Sequence, residues 1–396
     1  MRLRQVLSFG SAAIACATAL FGCRAEPEIG REETAVHQSE RFQRGASAWS
    51  RYCALCHKPD ATGYGADHAP SLVSSTFLES ATDDFLAKGI REGRPNTAMA
   101  AYGKSRGGPL EEEDIFAIVD FLRDKGSARL RMSKAPVEGD AARGEAIYVS
   151  TCQECHGTKT TRATAVHLAN PVFLSHASDA FLRHAVVHGR PNTPMPAFAG
   201  VLSEDKIDDV VAYLRSFARP VENARRAPQE PPPLGQPVIN PHGPNPEFKL
   251  RDDKYVAIAD VKKAIDEKKK IVVIDARAVS DWYLMHIPGS ISVPYYSFDR
   301  LDQLPKDGTW ITAYCACPHH ASGVVVDELR KRGFPHTAVL DEGILEWKRR
   351  EYPTETTPLP DDMGAALPLP TAPIPPTPVR DDRAPRRPII LPIGPK

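Results

Sequence analysis

The most constraining feature of this chain is a five-residue string, Cys-x-x-Cys-His, that occurs twice. Its two thiols and its imidazole are Cys53, Cys56 and His57 in the first copy, and Cys152, Cys155 and His156 in the second. This spacing is the attachment signature of covalent c-type haem, because each thiol can add to a vinyl group while the histidine reaches the iron. Disulfides or a shared zinc site are the alternative for the same residues. The two strings predict two covalently bound c-type haems.

The haem motif is part of a longer repeat. The loop Gly93-Arg94-Pro95-Asn96-Thr97 recurs as Gly189-Arg190-Pro191-Asn192-Thr193, and a methionine follows each copy two residues later. The offset between the copies drifts along the chain, which indicates two versions of one domain with loops of different length. A duplicated domain is therefore expected.

Iron in such a domain needs ligands on both faces of the porphyrin. His57 and His156 supply the proximal nitrogen, and Met99 and Met195 are the best distal candidates, since a thioether is soft and raises the potential. The alternative is a core methionine that fills a gap. His188 would replace Met195 only if the methionine prediction fails. Six-coordinate iron leaves no open site, so electron relay is expected rather than oxygen activation.

Helical patterns surround both haem motifs in the same order. A helix precedes the motif, a shorter helix precedes the methionine loop, and an amphipathic helix with an acidic first turn ends each copy. The predicted helices are Ser39–Tyr52, Asp83–Arg91 and Glu111–Lys125, and then Ala141–Ser150, Ser178–His188 and Glu204–Ala218. This order resembles the class I cytochrome c domain, over residues 41–127 and 138–219. The resemblance implies two all-α electron carriers with redox proteins as donor and acceptor.

The N-terminus has the pattern of an export signal. A basic start, an apolar stretch and the run Leu20-Phe21-Gly22-Cys23 resemble the lipobox of bacterial lipoproteins. The resemblance implies a signal peptide over 1–22, a lipid on Cys23 and, since Arg24 follows, the outer membrane of a Gram-negative cell, facing the periplasm. The polar, acidic residues that come next predict a flexible tether over 23–40. An ordinary secretory signal or an uncleaved anchor is the alternative. Export agrees with the motifs, because c-type haem is attached outside the cytoplasm.

Composition divides the rest of the chain. The 37 prolines are concentrated in two stretches of the chain. This composition predicts a semi-rigid linker over 220–252 and a disordered tail over 357–396. The 50 basic and 50 acidic residues balance, so no nucleic-acid partner is expected.

Between linker and tail, strand and helix patterns alternate. Helices are predicted over Val256–Lys268 and Ser322–Arg332, and β-branched runs predict four short strands: Ile271–Asp275, Ile291–Val293, Trp310–Tyr314 and Thr337–Leu340. Such alternation predicts a parallel sheet, and ligands of these folds gather where strands end. Cys315 follows directly after the third strand.

This segment resembles the rhodanese domain over residues 253–355. The matching pieces are Val273–Arg277, Asp281-Trp282, His286–Ile291, Tyr314-Cys315 and Glu342-Gly343 with Trp347. The resemblance implies that Cys315 attacks sulfane sulfur and carries it as a persulfide. A thiolate at a strand end that faces a helix N-terminus would be nucleophilic.

The loop after Cys315 departs from the rhodanese pattern. It contains Cys317, His319 and His320 but lacks the arginine that binds an anionic substrate in the family, which puts thiosulfate in doubt. Cys317 could resolve a persulfide, form a disulfide with Cys315, or join the histidines in a metal site. A degenerate domain used only for binding is the further alternative.

The sequence therefore predicts a multidomain chain of two all-α cytochrome c domains and one α/β rhodanese-like domain with a parallel sheet. The expected function is electron transfer by an exported dihaem cytochrome, with sulfane sulfur handled at Cys315 and electrons passed to the haems. The rival hypothesis is a pure electron carrier whose third domain is a docking module.

Overall fold

A computed structural model of the chain describes residues 29–126, 128–219, 228–316 and 319–357, with side chains from residue 40 onward. The part from Arg41 on forms one compact unit. The predicted signal peptide, Cys23, Cys317 and nearly all of the tail lie outside the described residues. Within those residues, no helix combines the length and apolar character needed to cross a membrane.

Two helical domains follow the same succession of helices. The first contains α1 (Ile29–Tyr52), α2 (Ala54–His57), α3 (Ser75–Ser80), α4 (Asp83–Glu92), a 3₁₀ turn (Lys104–Arg106) and α5 (Glu112–Asp124). The second contains α6 (Ala141–Thr151), α7 (Gln153–His156), α8 (Pro171–His176), α9 (Asp179–His188) and α10 (Glu204–Arg215). The six helices that the sequence predicts are present, while the short helices α2, α3, α7 and α8 are additions.

The first and last long helices of each helical domain cross at a glycine. A Cβ on Gly45 of α1 would lie 2.0 Å from the carbonyl oxygen of Ala117 on α5. A Cβ on Gly144 of α6 would lie 2.0 Å from the carbonyl oxygen of Asp209 on α10. Backbone therefore packs on backbone, which only glycine permits. Because each haem motif begins directly after α1 or α6, this crossing positions the motif.

An arginine near the end of each last helix ties it to the two helices before it. Arg123 Nε donates to the Asp83 carboxylate at 2.8 Å, and Arg215 Nε donates to Asp179 in the same way. Each guanidinium also donates to two carbonyls around the end of α3 or α8, those of Leu78 and Ala81 and those of Leu174 and Ala177. Carbonyls that a helix end leaves without partners are thereby satisfied.

The two helical domains share one buried core. Four phenylalanines meet where α3 and α4 face α8 and α9, and the rings of Phe85 and Phe181 are 4.7 Å apart between centroids. Thr76 Oγ1 donates to the carbonyl of Gly189 at 2.7 Å, and Asn170 Nδ2 donates to the carbonyl of Pro95 at 2.9 Å. Apolar burial of aromatic rings, with paired main-chain carbonyls at its border, joins the two copies.

The third domain is a parallel sheet with helices packed against it. Its elements are β1 (Tyr255–Val256), α11 (Ile258–Asp266), β2 (Ile271–Asp275), α12 (Val279–Leu284), β3 (Ile291–Ser292), a 3₁₀ turn (Leu301–Gln303), β4 (Trp310–Tyr314), α13 (Ala321–Lys331), β5 (Thr337–Leu340) and α14 (Gly343–Arg349). The strand order is β1-β5-β4-β2-β3, and every pairing is parallel. The predicted α/β fold with a parallel sheet is confirmed.

Two helix boundaries differ from the prediction. The first helix, α1, begins at Ile29 instead of Ser39. Val256 was expected in a helix but lies in β1, where its carbonyl accepts from Asp341 N–H at 2.9 Å and its side chain is fully buried. The helix begins only at Ile258. Val256 is a β-branched residue next to a helical pattern, and it pairs with the sheet because tertiary pairing outweighs the local periodicity.

The described part of the linker also contacts this domain, since Ile239 exchanges two backbone hydrogen bonds with Ile271, at 2.8 and 3.1 Å.

The helix crossings generate a stability prediction. Gly45→Ala and Gly144→Ala should each destabilise the protein by about 1–3 kcal/mol or more, since the added methyl overlaps backbone that cannot move freely. Urea unfolding followed by haem-region circular dichroism measures this. Gly323→Ala in α13 is the matched control, because a Cβ there meets no atom within 4 Å and should stabilise the helix by about 0.5–1 kcal/mol. Unchanged midpoints for both crossing variants would contradict the prediction.

Candidate haem sites and the Cys315 pocket

The two motif histidines are held in the same way. His57 Nδ1 lies 3.0 Å from the carbonyl oxygen of Pro70, and His156 Nδ1 lies 2.8 Å from that of Val166. A carbonyl oxygen only accepts, so Nδ1 carries the proton and Nε2 keeps its lone pair. Burial lowers the pKa of both histidines, which favours the neutral imidazole that binds iron.

The motif thiols sit on one face of a helical turn. His57 N–H donates to the carbonyl of Cys53, and His156 N–H to that of Cys152, both at 3.0 Å, so each pair of thiols is three residues apart on a turn. All four thiols are free, and burial raises the pKa of Cys53 and Cys56 to about 12. Among the described residues no three His, Cys, Asp or Glu side chains cluster as metal ligands. The disulfide and zinc alternatives gain no support from the described structure.

The methionine loops have one conformation in both copies. Gly93 and Gly189 have φ of 64° and 62°, and a Cβ on either would lie 2.5 Å from the main chain that follows the methionine. Arg94 N–H donates to the carbonyl of Met99 at 2.8 Å, and Arg190 N–H to that of Met195 at 3.0 Å. These contacts close the loop around each methionine, so the repeated residues specify a fixed backbone.

Each loop also holds a half-buried arginine for which sequence analysis assigned no role. The Arg94 guanidinium packs near the rings of Phe85 and Phe173, while that of Arg190 packs near Phe77 and Phe181. No carboxylate of the described residues forms an ion pair with either one, and burial lowers the pKa of each to about 10. A guanidinium taken out of water without a directly paired carboxylate is costly, and Glu92 near Arg94 and Glu79 near Arg190 offset burial only in part. The propionates of a haem would supply a paired negative charge. The repeated Arg in the Gly-Arg-Pro-Asn-Thr loop was therefore the sequence signal for this part of the haem site.

The donor set of each helical domain therefore fits a c-type haem. It offers two thiols, a neutral imidazole, a methionine held in a closed loop, and a half-buried guanidinium. Met99 and Met195 as axial ligands stay a prediction. His188 packs against His184, with ring centroids 4.4 Å apart.

In the third domain, Cys315 is buried directly after β4. Its Sγ lies 3.3 Å from Oγ of Ser322, the second residue of α13. The N-terminus of a helix favours negative charge, so this position suits a nucleophilic thiolate. As predicted, Cys315 lies at the end of a strand.

The two histidines of the loop after Cys315 contact different parts of the protein. His319 pairs with the Asp341 carboxylate and packs against the ring of Tyr255, 4.1 Å away between centroids. His320 turns to the first helical domain, where its Nε2 donates to the carbonyl of Gly65 at 3.1 Å. Cys317 lies outside the described residues, so its predicted roles stay predictions.

A cavity of about 40 Å³ lies between Cys315 and the first helical domain. One wall contains Leu55 and Cys56 of the first haem motif, together with Ala98 and Ala100, which flank Met99. The other wall contains Cys315 with Arg277, Asp281, Tyr295 and His320. Burial raises the pKa of the Cys56 thiol, and the charge of nearby Cys315 adds to that effect.

Tyrosine hydroxyls hold the two walls together, a feature that sequence analysis missed. Tyr295 donates to the carbonyl of Tyr52 at 2.7 Å, so its oxygen accepts from the Tyr102 hydroxyl at 2.9 Å. Burial raises the pKa of Tyr102 and Tyr295 well above the ordinary value, which keeps both protonated. Isolated tyrosines far apart in sequence carry no motif, so only the fold reveals the pair.

Comparison with known families agrees with this architecture. The family model described as cytochrome C oxidase, cbb3-type, subunit III matches residues 40–122 and 139–214, and the rhodanese-like domain model matches residues 257–350.

Curated relatives match the helical region. The cbb3-type cytochrome c oxidase subunit FixP of Bradyrhizobium diazoefficiens is 28% identical over 184 residues, which cover 44% of this chain and 60% of that protein. Cytochrome c6 of Diacronema lutheri is 31% identical over 84 residues, or 20% of this chain and 99% of that protein. Cytochrome c6 of Thermosynechococcus vestitus is 31% identical over 91 residues, or 21% of this chain and 75% of that protein. The chain spans less than two thirds of the FixP subunit, whereas it covers the small cytochromes well. It therefore belongs to the cytochrome c family, as a haem electron carrier with a rhodanese-like domain fused after its two cytochrome c segments.

Proposed function

We propose that this chain is a dihaem cytochrome that couples electron transfer to sulfur chemistry at Cys315. The observation that carries the proposal is the shared cavity, which places Cys315 opposite Cys56 of the first haem motif. When bound, the two haems supply two one-electron carriers. The cytochrome residues hold them, and the rhodanese-like domain supplies the thiol.

The chemistry at Cys315 balances with two such carriers. Attack of the thiolate on sulfane sulfur forms a persulfide without net oxidation. Joining a sulfide sulfur to the Cys315 thiol, in contrast, forms the S–S bond of a persulfide and releases two electrons and two protons. One chain that carries both modules raises the effective concentration of each for the other.

The rival proposal is a pure electron carrier whose third domain serves as a docking module. It is favoured by the loop after Cys315, which lacks the arginine typical of active rhodanese domains. The two proposals differ in what happens to Cys315, because a docking module needs neither its thiol nor a sulfur adduct.

We also propose that the chain is exported and held at the outer membrane by a lipid on Cys23. The support is the run Leu20–Cys23 after an apolar stretch, and the need of c-type haem for attachment outside the cytoplasm.

Haem content gives the first prediction. A pyridine haemochrome assay should return two haems per chain, and Met99→Ala or Met195→Ala should each remove half of the weak far-red absorption that reports thioether bound to ferric iron. Met363→Ala, at a methionine outside both cytochrome segments, is the control. A far-red band that survives the Met99/Met195 double change would refute the ligand assignment.

Coupling gives the second prediction. Sulfide added to the ferric holoprotein should reduce the haem irons, seen as growth of their α bands, and should add one sulfur to Cys315 for every two haems reduced, because persulfide formation releases two electrons. Stopped-flow spectroscopy and intact mass spectrometry measure the two quantities. Cys315→Ser should leave only the slow background reduction. Equal rates in wild type and Cys315→Ser would favour the docking module.

Membrane attachment gives the third prediction. Wild-type protein should sediment with the outer-membrane fraction of a Gram-negative host, and Cys23→Ser should move it to the soluble periplasmic fraction, since the lipid acceptor is gone. Cys16→Ser is the matched control in the same segment. Wild-type protein found wholly in the soluble fraction would overturn the lipid proposal.

A further inference from the structure

The third domain covers one face of the first cytochrome c segment. Ser280 Oγ donates to the carbonyl of Ala101 at 3.1 Å, and Ala98 packs against Ala316 and Leu345. Together with the tyrosine hydrogen bonds to the end of α1, these contacts cover both the haem motif and the methionine loop on that face. An external protein therefore meets the third domain where it would otherwise meet the first motif.

The corresponding part of the second haem motif is open. Glu154 and Cys155 are exposed, whereas their counterparts Leu55 and Cys56 are half-buried. The two motifs have the same helical turn and the same histidine contact, so their internal structure does not explain the difference. The motif that the third domain contacts is the one that is covered.

The second methionine loop is open in the same way. Pro196 and Ala197 are exposed, whereas Ala100 is buried and Ala101 is half-buried at the equivalent positions. A haem held at both motifs would attach to equivalent residues in each copy, so it would change both copies alike. The difference in exposure therefore comes from the third domain.

The exposed surface of the second segment is largely apolar. Val201 is 72% exposed, and its N–H donates to the carbonyl of Phe198 in the turn that follows the methionine loop. Because the matching pieces of the first copy line one cavity, the motif and loop of the second copy lie side by side. We call the surface that they form the open face, and its residues are Glu154, Cys155, Pro194, Pro196, Ala197 and Val201. An apolar surface beside an electron carrier suits a small, transient protein contact.

A short loop connects the covered motif to the second copy. Gly65 N–H donates to the carbonyl of Cys56 at 2.9 Å. Two residues later, Asp67 accepts from Arg162, at 2.7 Å on its carboxylate and at 2.6 Å on its carbonyl. Arg162 lies in the loop that follows His156, and the pair is largely buried, so solvent screens it little. The two motifs are thereby held in a fixed relation, as an internal relay requires.

We propose that the open face is where an external redox protein docks, and that the first haem motif exchanges electrons within the chain. The partner is a small redox protein whose cofactor lies beneath a largely apolar surface. Each encounter moves one electron between the iron held by the second motif and the cofactor of the partner, and no bond forms and no proton moves. The proposal needs haem electron transfer, but it does not need sulfur chemistry at Cys315.

The kinetic test mixes the full-length holoprotein with cytochrome c6 in a stopped-flow instrument. Both combinations of ferrous and ferric forms are mixed, because the two potentials decide which one runs forward. Ala197→Glu and Ala197→Arg should each lower the second-order rate constant about fivefold or more, since a charge of either sign must lose water on docking. Ser105→Glu and Ser105→Arg, on an exposed turn after the covered loop of the first copy, are the matched controls and should leave it unchanged.

A binding test needs no variant and no electron transfer. Zinc-substituted cytochrome c6 cannot exchange electrons, so it reports docking alone. Titrated into the methyl-labelled holoprotein, it should shift the methyl NMR resonances of Ala197 and Val201 and leave those of Ala98 and Ala101 in place. Haem content, melting temperature and equal reduction by dithionite, which needs no docking surface, confirm that every variant is assembled.

The outcomes are decisive in both tests. Slower exchange in both Ala197 variants, with unchanged controls, supports the open face. Opposite effects of the two Ala197 changes would indicate long-range charge steering and overturn it. Equal rates for all four variants, no exchange with cytochrome c6, or methyl shifts at Ala98 would also overturn it. Such a failure would leave the sulfur chemistry intact, because that proposal is tested by the mass of Cys315.

Discussion

The contact of backbone on backbone at Gly45 and Gly144 is the constraint on which the rest of the cytochrome region depends. Each haem motif starts where the first helix of its domain ends, so the angle at which that helix crosses the last one decides where the thiols and the imidazole lie. No side-chain interaction can replace this contact, because a single methyl group would separate the helices. The arginine at the end of each last helix then fixes the short helices that lead to the methionine loop.

The same frame serves two different surroundings. In both copies the loop around the methionine has the same turn, the same main-chain hydrogen bonds and the same half-buried guanidinium. Around the first copy, however, Tyr102 and Leu55 meet the rhodanese-like domain, while Cys155 of the second copy is exposed. The internal chemistry of the repeat is preserved, and its outer surface is not.

Much of this architecture could be predicted from local pattern. The haem motifs, the six main helices, the parallel sheet and Cys315 at the end of β4 all follow from spacing and periodicity, since short-range rules determine them. Val256 was placed wrongly because its sheet partner lies far along the chain. The packing of the Arg94 and Arg190 guanidinium groups against phenylalanine rings was also missed. Their repetition was visible, but a repeated residue does not reveal what its side chain packs against. The meeting of Tyr102 with Tyr295 could not be predicted at all, since it depends on how two unrelated folds pack.

The Tyr52, Tyr102 and Tyr295 contact has a consequence for how this chain can change over generations. Substitutions of Tyr52 or Tyr102 in the first copy alter two domains at once, whereas Thr151 and Phe198, their counterparts in the second copy, have no described hydrogen bond or ring contact with Tyr295. Duplication thus released one copy to diverge, while fusion restrained the other. Homologous chains that keep the fusion should preserve the three tyrosines as a group, and chains that have lost the third domain should let Tyr52 and Tyr102 drift.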